Sequence, residues 1–452
     1  MQLERLVGAL SPPAVVGRTP VEIRDLAYDT RDVRPGALFF CVPGATVDGH
    51  DLAADAVERG AVALVVERRV AAAVPQLVVP SVRAAMPRAA LEFFGHPSQE
   101  LAVIAVTGTS GKTTTVFLLY AILEAAGRRP ALLSSIERRV GDSVLAPTLN
   151  TPEAIDLQRL FREMLEAGNE TCAMEATSIA SSKGRLDGTR FAVLLFTNLS
   201  QDHLDFHGTM DDYFDAKRRL FGQAERAVIN VGDDYGRRLA AELPHAVTFT
   251  GDDPLDAQLR LRGRFNRENA LGAAASARAL GIAEDAIRQG LESVGGVPGR
   301  FESLDEGQDF DVIVDYSHKP GALATVLREA RALADGRVIC VFGAGGDRDR
   351  DKRPLMGRFA AELADEVIVT SDNPRSEDPA AIAAEVVADL PLPVELDRRA
   401  AIERALDLAR PGDVVVIAGK GAESGQEFAD RTVPFDDREV TREALRRLRS
   451  AA

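Results

Sequence analysis

The chain has 452 residues, enough at roughly 100 to 200 residues per domain for about two to four domains with buried cores. Charged residues make up 27% and hydrophobic residues 46%, the balance of an ordinary globular protein, which excludes disordered and fibrous classes. With 54 basic against 69 acidic side chains, the net charge of −15 repels a nucleic-acid backbone and no basic cluster offsets it, so no nucleic-acid partner is expected.

The cysteines, Cys41, Cys172 and Cys340, are odd in number, far apart and set in apolar runs, which predicts buried free thiols rather than disulfides or a zinc site. No basic-then-apolar signal pattern opens the chain, and no apolar run approaches the ~20 residues of a membrane span. A cytoplasmic protein without a membrane partner is expected.

In chain order, residues 1–97 read as a small mixed α/β domain, with strands over 37–42 and 62–66 and a helix over 51–59. After the turn Gly95-His96-Pro97-Ser98, an apolar strand over 101–106 runs into a glycine loop and a long amphipathic helix. Further strands over 171–174, 192–196 and 227–230, separated by helical periodicity, predict a doubly wound parallel sheet in residues 98–296. Beyond Val297-Pro298-Gly299, strands over 311–315, 338–342, 366–370 and 414–418 predict another α/β domain in residues 297–452.

The run Gly108-Thr109-Ser110-Gly111-Lys112-Thr113-Thr114 sits where a buried strand turns into a helix. Small residues let backbone N–H groups point at phosphate oxygens, the helix N-terminus adds positive potential, a lysine pairs the terminal phosphates and a threonine hydroxyl ligates magnesium. Val106 stands where the first glycine of the usual G-x-x-x-x-G-K spacing would fall, so the loop is a shortened form. Polar groups also gather just beyond other strand ends, where open α/β sheets bind ligands. They are Glu175; the run Asn198 to Gly208 with Asp202 and His203; Asp315-Tyr316-Ser317-His318-Lys319; Gly343 to Arg350; Asp372-Asn373-Pro374-Arg375; and Gly419-Lys420-Gly421-Ala422-Glu423.

Together these residues resemble the Mur ligases, and within that family the MurE branch that extends the peptidoglycan precursor. The match covers essentially the whole chain. It is carried by Asp29-Thr30-Arg31, Asp48-Gly49-His50, TGTSGKTTT, Thr151-Pro152-Glu153, FTNLSQDHLDFHGT, Tyr213 with Lys217, GRFNRENA, VPGRFE, VDYSHKP, GAGGDRDRDKRP and SDNPR.

The resemblance implies three α/β domains: a UDP-sugar-binding domain (1–97), a P-loop ATPase-like ATP-binding domain (98–296) and a Rossmann-like amino-acid-binding domain (297–452). It implies an ATP-dependent amide ligase that joins meso-diaminopimelate to UDP-N-acetylmuramoyl-L-alanyl-D-glutamate through an acyl phosphate, acting in the cytoplasm as a monomer. Lys112 would hold the terminal phosphates within the cradle Gly108, Thr109, Ser110, Gly111, Thr113 and Thr114. Thr113 would ligate one magnesium; Glu175, His203 and Lys217 would hold a second, Lys217 as the carbamate found in similar enzymes. Asn266 would face adenine and Arg300 the phosphates, while Asp315, His318 and Lys319 would approach on domain closure. Thr30, His50, Asn150, Thr151, Ser178 and Arg185 fall to the nucleotide-sugar substrate, and Arg348, Asp372, Asn373, Arg375, Gly419 and Glu423 to the amino acid.

The chain departs from the family pattern at Ile179, where Glu-x-Ser-Ser-His ends in histidine, and at Ala422, where Gly-Lys-Gly-His-Glu has histidine. Three alternatives therefore stay open: a lysine-adding enzyme, a divergent Mur-type or folylpolyglutamate-like ligase, and a non-catalytic paralogue.

Overall fold

A computed structural model describes residues 1–18, 20–44 and 46–451. The described strands form three large sheets and one small hairpin. The first sheet contains Ala14–Val16 (β1), Asp25–Ala27 (β2), Ala37–Phe40 (β3), Ala61–Val66 (β4) and Gln76–Val78 (β5) in the order β1-β5-β4-β3-β2. Only β1 runs antiparallel. Instead of one helix over 51–59, a 3-10 turn, Gly49–Leu52, leads into the short helix Ala53–Glu58, because the Asp48 carboxylate caps the His50 N–H and tightens the entry.

The central sheet comprises Ala102–Thr107 (β6), Pro130–Leu133 (β7), Arg138–Val140 (β8), Ser143–Leu145 (β9), Thr171–Glu175 (β10), Val193–Phe196 (β11), Ala227–Asn230 (β12) and Val247–Phe249 (β13). Their order is β13-β12-β11-β6-β10-β7-β8-β9. The first six in that order are parallel, as expected, but β8 and β9 add an antiparallel meander at one edge. Side chains alternate across β6: Val103 and Ala105 enter a core beneath helix Ala154–Glu166, Ile104 and Val106 the core beneath helices Lys112–Ala125 and Arg264–Ala279. Both faces are thus covered, the arrangement that parallel strands require.

The third sheet, Glu302–Ser303 (β14), Asp311–Asp315 (β15), Val338–Phe342 (β16), Glu366–Val369 (β17) and Val414–Ala418 (β18), is ordered β14-β15-β18-β16-β17 and is parallel except for β14. Gly425–Glu427 (β19) and Thr432–Pro434 (β20) pair as the hairpin. The three cysteines are buried free thiols, as predicted. No described helix is long and apolar enough to cross a membrane.

The first and central sheets share a core, since Ala154 and Ile155 pack among Leu38, Phe40 and Met86. Tyr28 donates its hydroxyl to Asp156 at 2.5 Å, and Arg159 reaches the Leu26 carbonyl at 2.7 Å across the same seam.

Candidate active site

Register decides what meets at the carboxyl edge of the central sheet. Parallel pairing sets Glu175 beside Val106 and Phe196 beside Thr107, so the turns after β6, β10 and β11 emerge together. Gly108 (φ +145°) must be glycine: a Cβ there would lie 2.0 Å from Thr197 Oγ1. Gly111 (φ +85°) faces Asn269 as closely, with 2.2 Å from a Cβ to Oδ1.

The loop is braced before any ligand arrives. Ser110 N donates to Asn198 Oδ1 at 3.0 Å, Thr197 Oγ1 donates to the Ser110 carbonyl at 2.7 Å, and Thr109 Oγ1 meets the Tyr213 hydroxyl at 3.1 Å. Lys112 Nζ folds onto the carbonyls of Gly108 and Thr109 at 3.0 and 2.8 Å. Lys217 Nζ, fully buried on helix Met210–Arg218, donates to the same Gly108 carbonyl at 2.8 Å and lies 4.4 Å from the Tyr213 ring centre. Among the described residues neither lysine has an ion-pair partner within 4.0 Å.

Burial lowers the pKa of Lys112, against the pull of Glu175. Burial, and then the neighbouring charge of Lys112, holds Lys217 well below the ordinary lysine range.

Glu175, 1% exposed, accepts at Oε1 from Thr113 Oγ1 and from Ser135 N, each at 2.8 Å. Ser135 Oγ lies 2.9 Å from Thr113 Oγ1 and accepts from Arg300 Nη2 at 3.2 Å. The oxygens of Thr113, Ser135 and Glu175 are the hard donors that magnesium prefers; Arg300 contacts this group, Lys112 lies close enough to feel the charge of Glu175, and Lys217 shares the Gly108 carbonyl with Lys112. This donor set fits a magnesium-bound polyphosphate. Taken alone, the described residues contain no cluster of three or more His, Cys, Asp or Glu able to hold a metal.

His203 stands apart from that group. It occupies a left-handed conformation (φ 52°) with its side chain 40% exposed, and its Nε2 lies 3.3 Å from Asp202 Oδ2. Burial lowers its pKa to about 4, opposed by Asp202, so the ring is neutral at pH 7. Asp202 in turn binds Lys319 Nζ at 2.5 Å, bridging the central and third sheets. His318 lies next to it, pushed down to about 3 by burial and by Lys319, with its Nδ1 2.8 Å from the Tyr316 carbonyl.

Several predicted site residues make hydrogen bonds within the fold. Asp315 accepts from Phe301 N at 2.7 Å, from Ser317 N at 2.8 Å and from Ser317 Oγ, and so braces the turn that carries Arg300. His50 has both ring nitrogens occupied, by Asp48 Oδ1 (2.7 Å) and by the Glu67 N–H (2.9 Å), and it ties its loop to β4. Asn266 supports Asn269 (3.2 Å), which itself contacts the glycine loop. Thr30 is half-buried in a 3-10 turn, and Asn150 and Arg348 are exposed.

Beside Glu175, Thr151 Oγ1 donates to the Glu175 carbonyl at 2.9 Å, Arg185 reaches the Thr151 carbonyl at 3.1 Å, and Ser178 Oγ lies 3.0 Å from His207 Nε2. Thus His207, not a residue at position 179, supplies the imidazole next to Ser178. Thr114, on the first turn of helix Lys112–Ala125, is buried beneath the loop.

At the edge of the third sheet, Asn373 Nδ2 donates to Glu423 Oε2 at 2.8 Å, and buried Lys420 binds Asn373 Oδ1 and Glu423 Oε2 at 2.8 and 3.2 Å. Gly419 presses on Asp372, with 2.4 Å from a Cβ to Oδ2. Arg375 (φ 53°) pairs through Nε with Glu427 Oε2 and through Nη1 with the Gly346 carbonyl, each at 2.8 Å.

Sequence reasoning missed Ser135, Asn269, His207 and Glu427 as members of these clusters. Asn269 carried a readable signal, lying three residues after Asn266 on one helix face. Ser135 follows the short strand β7 and has no local signature.

A phosphate cradle on a helix N-terminus, a carboxylate beside it and cations brought in from a second α/β sheet define an ATP-dependent acid–amino-acid ligase. Three family models match: "Mur ligase family, catalytic domain" over residues 22–94, "Mur ligase middle domain" over 106–254, and "Mur ligase, glutamate ligase domain" over 299–421. The chain belongs to the Mur ligase family.

It is 44% identical to the UDP-N-acetylmuramoyl-L-alanyl-D-glutamate--2,6-diaminopimelate ligase of Solibacter usitatus, over 94% of each chain. Against the protein of the same name from Geobacter metallireducens it is 41% identical, over 100% of this chain and 99% of the other. A solved structure of a ligase with that name superimposes with TM-score 0.67 and 30% identity over 96% of both chains.

Proposed function

We propose that this protein joins meso-diaminopimelate to the D-glutamate of UDP-N-acetylmuramoyl-L-alanyl-D-glutamate, converting ATP to ADP and phosphate, in the cytoplasm and as a monomer. The observation that carries the reading is the convergence of Lys112, Lys217, Arg300 and the Thr113–Ser135–Glu175 oxygens around the Gly108 loop, next to Thr151, Ser178 and Arg185. In three domains, 1–97 takes the UDP-sugar, 98–296 ATP and 297–452 the amino acid; the three matched family segments fall inside these spans.

The acceptor carboxylate attacks the γ-phosphorus of ATP and ADP leaves, giving an acyl phosphate; the amine attacks its carbonyl carbon and phosphate departs. Backbone amides of the loop and Lys112 orient the phosphates and stabilise the charge that develops on them. Lys319 and Arg300, arriving from the third sheet, exclude water from the acyl phosphate. Magnesium, when bound, neutralises phosphate charge and polarises the reacting phosphoryl group. Thr113 would hold one ion, and Glu175 and His203 a second, with Lys217 contributing to that second site as a carbamate. Its depressed pKa supports that last role, since only the neutral amine adds carbon dioxide.

The test is phosphate release and tripeptide mass with a panel of amino acids. Turnover with meso-diaminopimelate is expected; equal or better turnover with L-lysine would reassign the donor. The Arg375–Glu427 pair favours that lysine-adding reading as the second choice, because it already occupies the guanidinium that would read a distal carboxylate.

A further inference from the structure

Behind the two loops that carry Asp372 to Arg375 and Gly419 to Glu423 lies a side chain that no step above uses. Arg398 is the first residue of helix Arg398–Leu408 and its side chain is 0% exposed. It forks onto Asp437, Nε to Oδ1 and Nη2 to Oδ2, both at 2.7 Å. Asp437 is equally buried and opens the helix Asp437–Ala451. The other guanidinium donors go to backbone: Nη1 to the Ser371 carbonyl at 3.3 Å and Nη2 to the Ala418 carbonyl at 3.0 Å.

Those two carbonyls belong to the residues just before the amino-acid loops, Ser371 two residues past the end of β17 and Ala418 the last residue of β18. The two strands are not neighbours, because β16 lies between them, so no ladder bond fixes one end against the other. Lys420 and Gln426 also cross between the loops, at Asn373 Oδ1 and the Asp372 carbonyl, both at 2.8 Å, but they join loop to loop. Arg398 anchors both strand ends to a third element. Asp372 Oδ2, buried and without a hydrogen-bond partner, lies close to the same guanidinium: a Cβ on Gly419 would be 2.4 Å from that oxygen and 3.6 Å from Arg398 Nη2. Burial opposes the Arg398 charge, and Asp437 and Asp372 more than offset it.

We infer that Arg398 is a positioning residue for the incoming amino acid, a clamp that sets Asn373 and Arg375 against Glu423 without touching substrate. The inference rests on the assignment of those loops to the amino acid under the proposed reaction. A lysine at this position keeps the charge but, as a point charge with three donors, cannot hold a carboxylate fork and two carbonyls together.

The experiment is steady-state kinetics on full-length Arg398→Lys and Asp437→Asn, with each substrate varied in turn and thermal melting alongside. The amino acid varied is the one the wild type uses best. Its KM is expected to rise at least about tenfold in Arg398→Lys and less in Asp437→Asn, while KM for ATP and for the UDP-linked acceptor stays within about twofold. A fall in melting temperature with all three KM values unchanged, or moving in parallel, overturns the clamp. If Arg398→Lys does not fold, Asp437→Asn alone decides by the same criterion. Wild-type protein inactive with every amino acid overturns the proposed reaction, and the clamp with it; an active wild type with unshifted variants overturns the clamp alone.

Discussion

Lys112 and Lys217 direct their amino nitrogens at one acceptor, the Gly108 carbonyl oxygen, from 3.0 and 2.8 Å. Two cations on one carbonyl repel each other, and Lys217, the fully buried one, is the one to become neutral. Burial and Lys112 together depress Lys217, which suits an amine that adds carbon dioxide and turns into an oxygen ligand. Lys217→Ala is expected to lose at least about a hundredfold in kcat and to recover part of it with added formate or acetate. Unchanged activity in carbonate-free buffer would remove the carbamate role.

The same lysine carries a stability signature. In carbon-dioxide-depleted buffer, Lys217→Met replaces an unpaired buried amine by an apolar side chain of similar length, and should gain about 1 kcal/mol or more while abolishing turnover. The pH dependence has a definite sign. Because the folded-state pKa lies below the ordinary lysine value of 10.5, the unfolded state binds more protons across the interval between them. Wild-type stability therefore rises with pH through that interval, and its deficit relative to Lys217→Met narrows. Parallel melting curves from pH 7 to 10 would show that Lys217 is already modified or paired.

The cradle depends on two glycines for different neighbours. Gly111→Ala forces a side chain into a left-handed position and against Asn269 Oδ1, and Gly108→Ala drives a methyl group into Thr197 Oγ1. The left-handed backbone alone costs about 1–2 kcal/mol. Both variants should melt lower and raise KM for ATP, and Gly111→Ala should be partly relieved by Asn269→Ala, which removes the colliding oxygen. A double variant no better than Gly111→Ala would mean that backbone strain, not the contact, sets the effect.

Strands buried on both faces were legible from the sequence: 227–230, 311–315, 338–342 and 414–418 match the observed Ala227–Asn230, Asp311–Asp315, Val338–Phe342 and Val414–Ala418. The meander β8–β9 was not, because its three-residue strands are partly or fully exposed and Arg138 and Arg139 break any apolar run. In the site, the glycine loop could be read because its chemistry is local. Ser135, Glu427 and Arg398 could not, since each gains its meaning from partners 30 or more residues away. Asp315 and His50 look ligand-facing in the sequence, a carboxylate at a strand end and a histidine after a glycine; what the sequence does not show is that backbone N–H groups already bond to both.

Arg375 and Glu427 form a partly exposed pair, with side chains 26% and 50% accessible, and such a pair contributes about 0–1 kcal/mol. A substrate carboxylate approaching the guanidinium in a bidentate, charge-assisted geometry is worth about 1.5–3 kcal/mol, enough to displace Glu427. Arg375→Lys removes the fork and is expected to lower kcat/KM for meso-diaminopimelate at least about tenfold while leaving L-lysine turnover unchanged or raised, since lysine has no distal carboxylate to lose. Glu427→Gln removes the competitor and should lower KM for diaminopimelate about twofold or less, because the pair it breaks is weak. If instead Arg375→Lys leaves the ratio of the two amino acids unchanged, the guanidinium serves only to join the Gly346 loop to β19, and the distal carboxylate is read elsewhere, with exposed Arg348 on the same edge the next residue to vary.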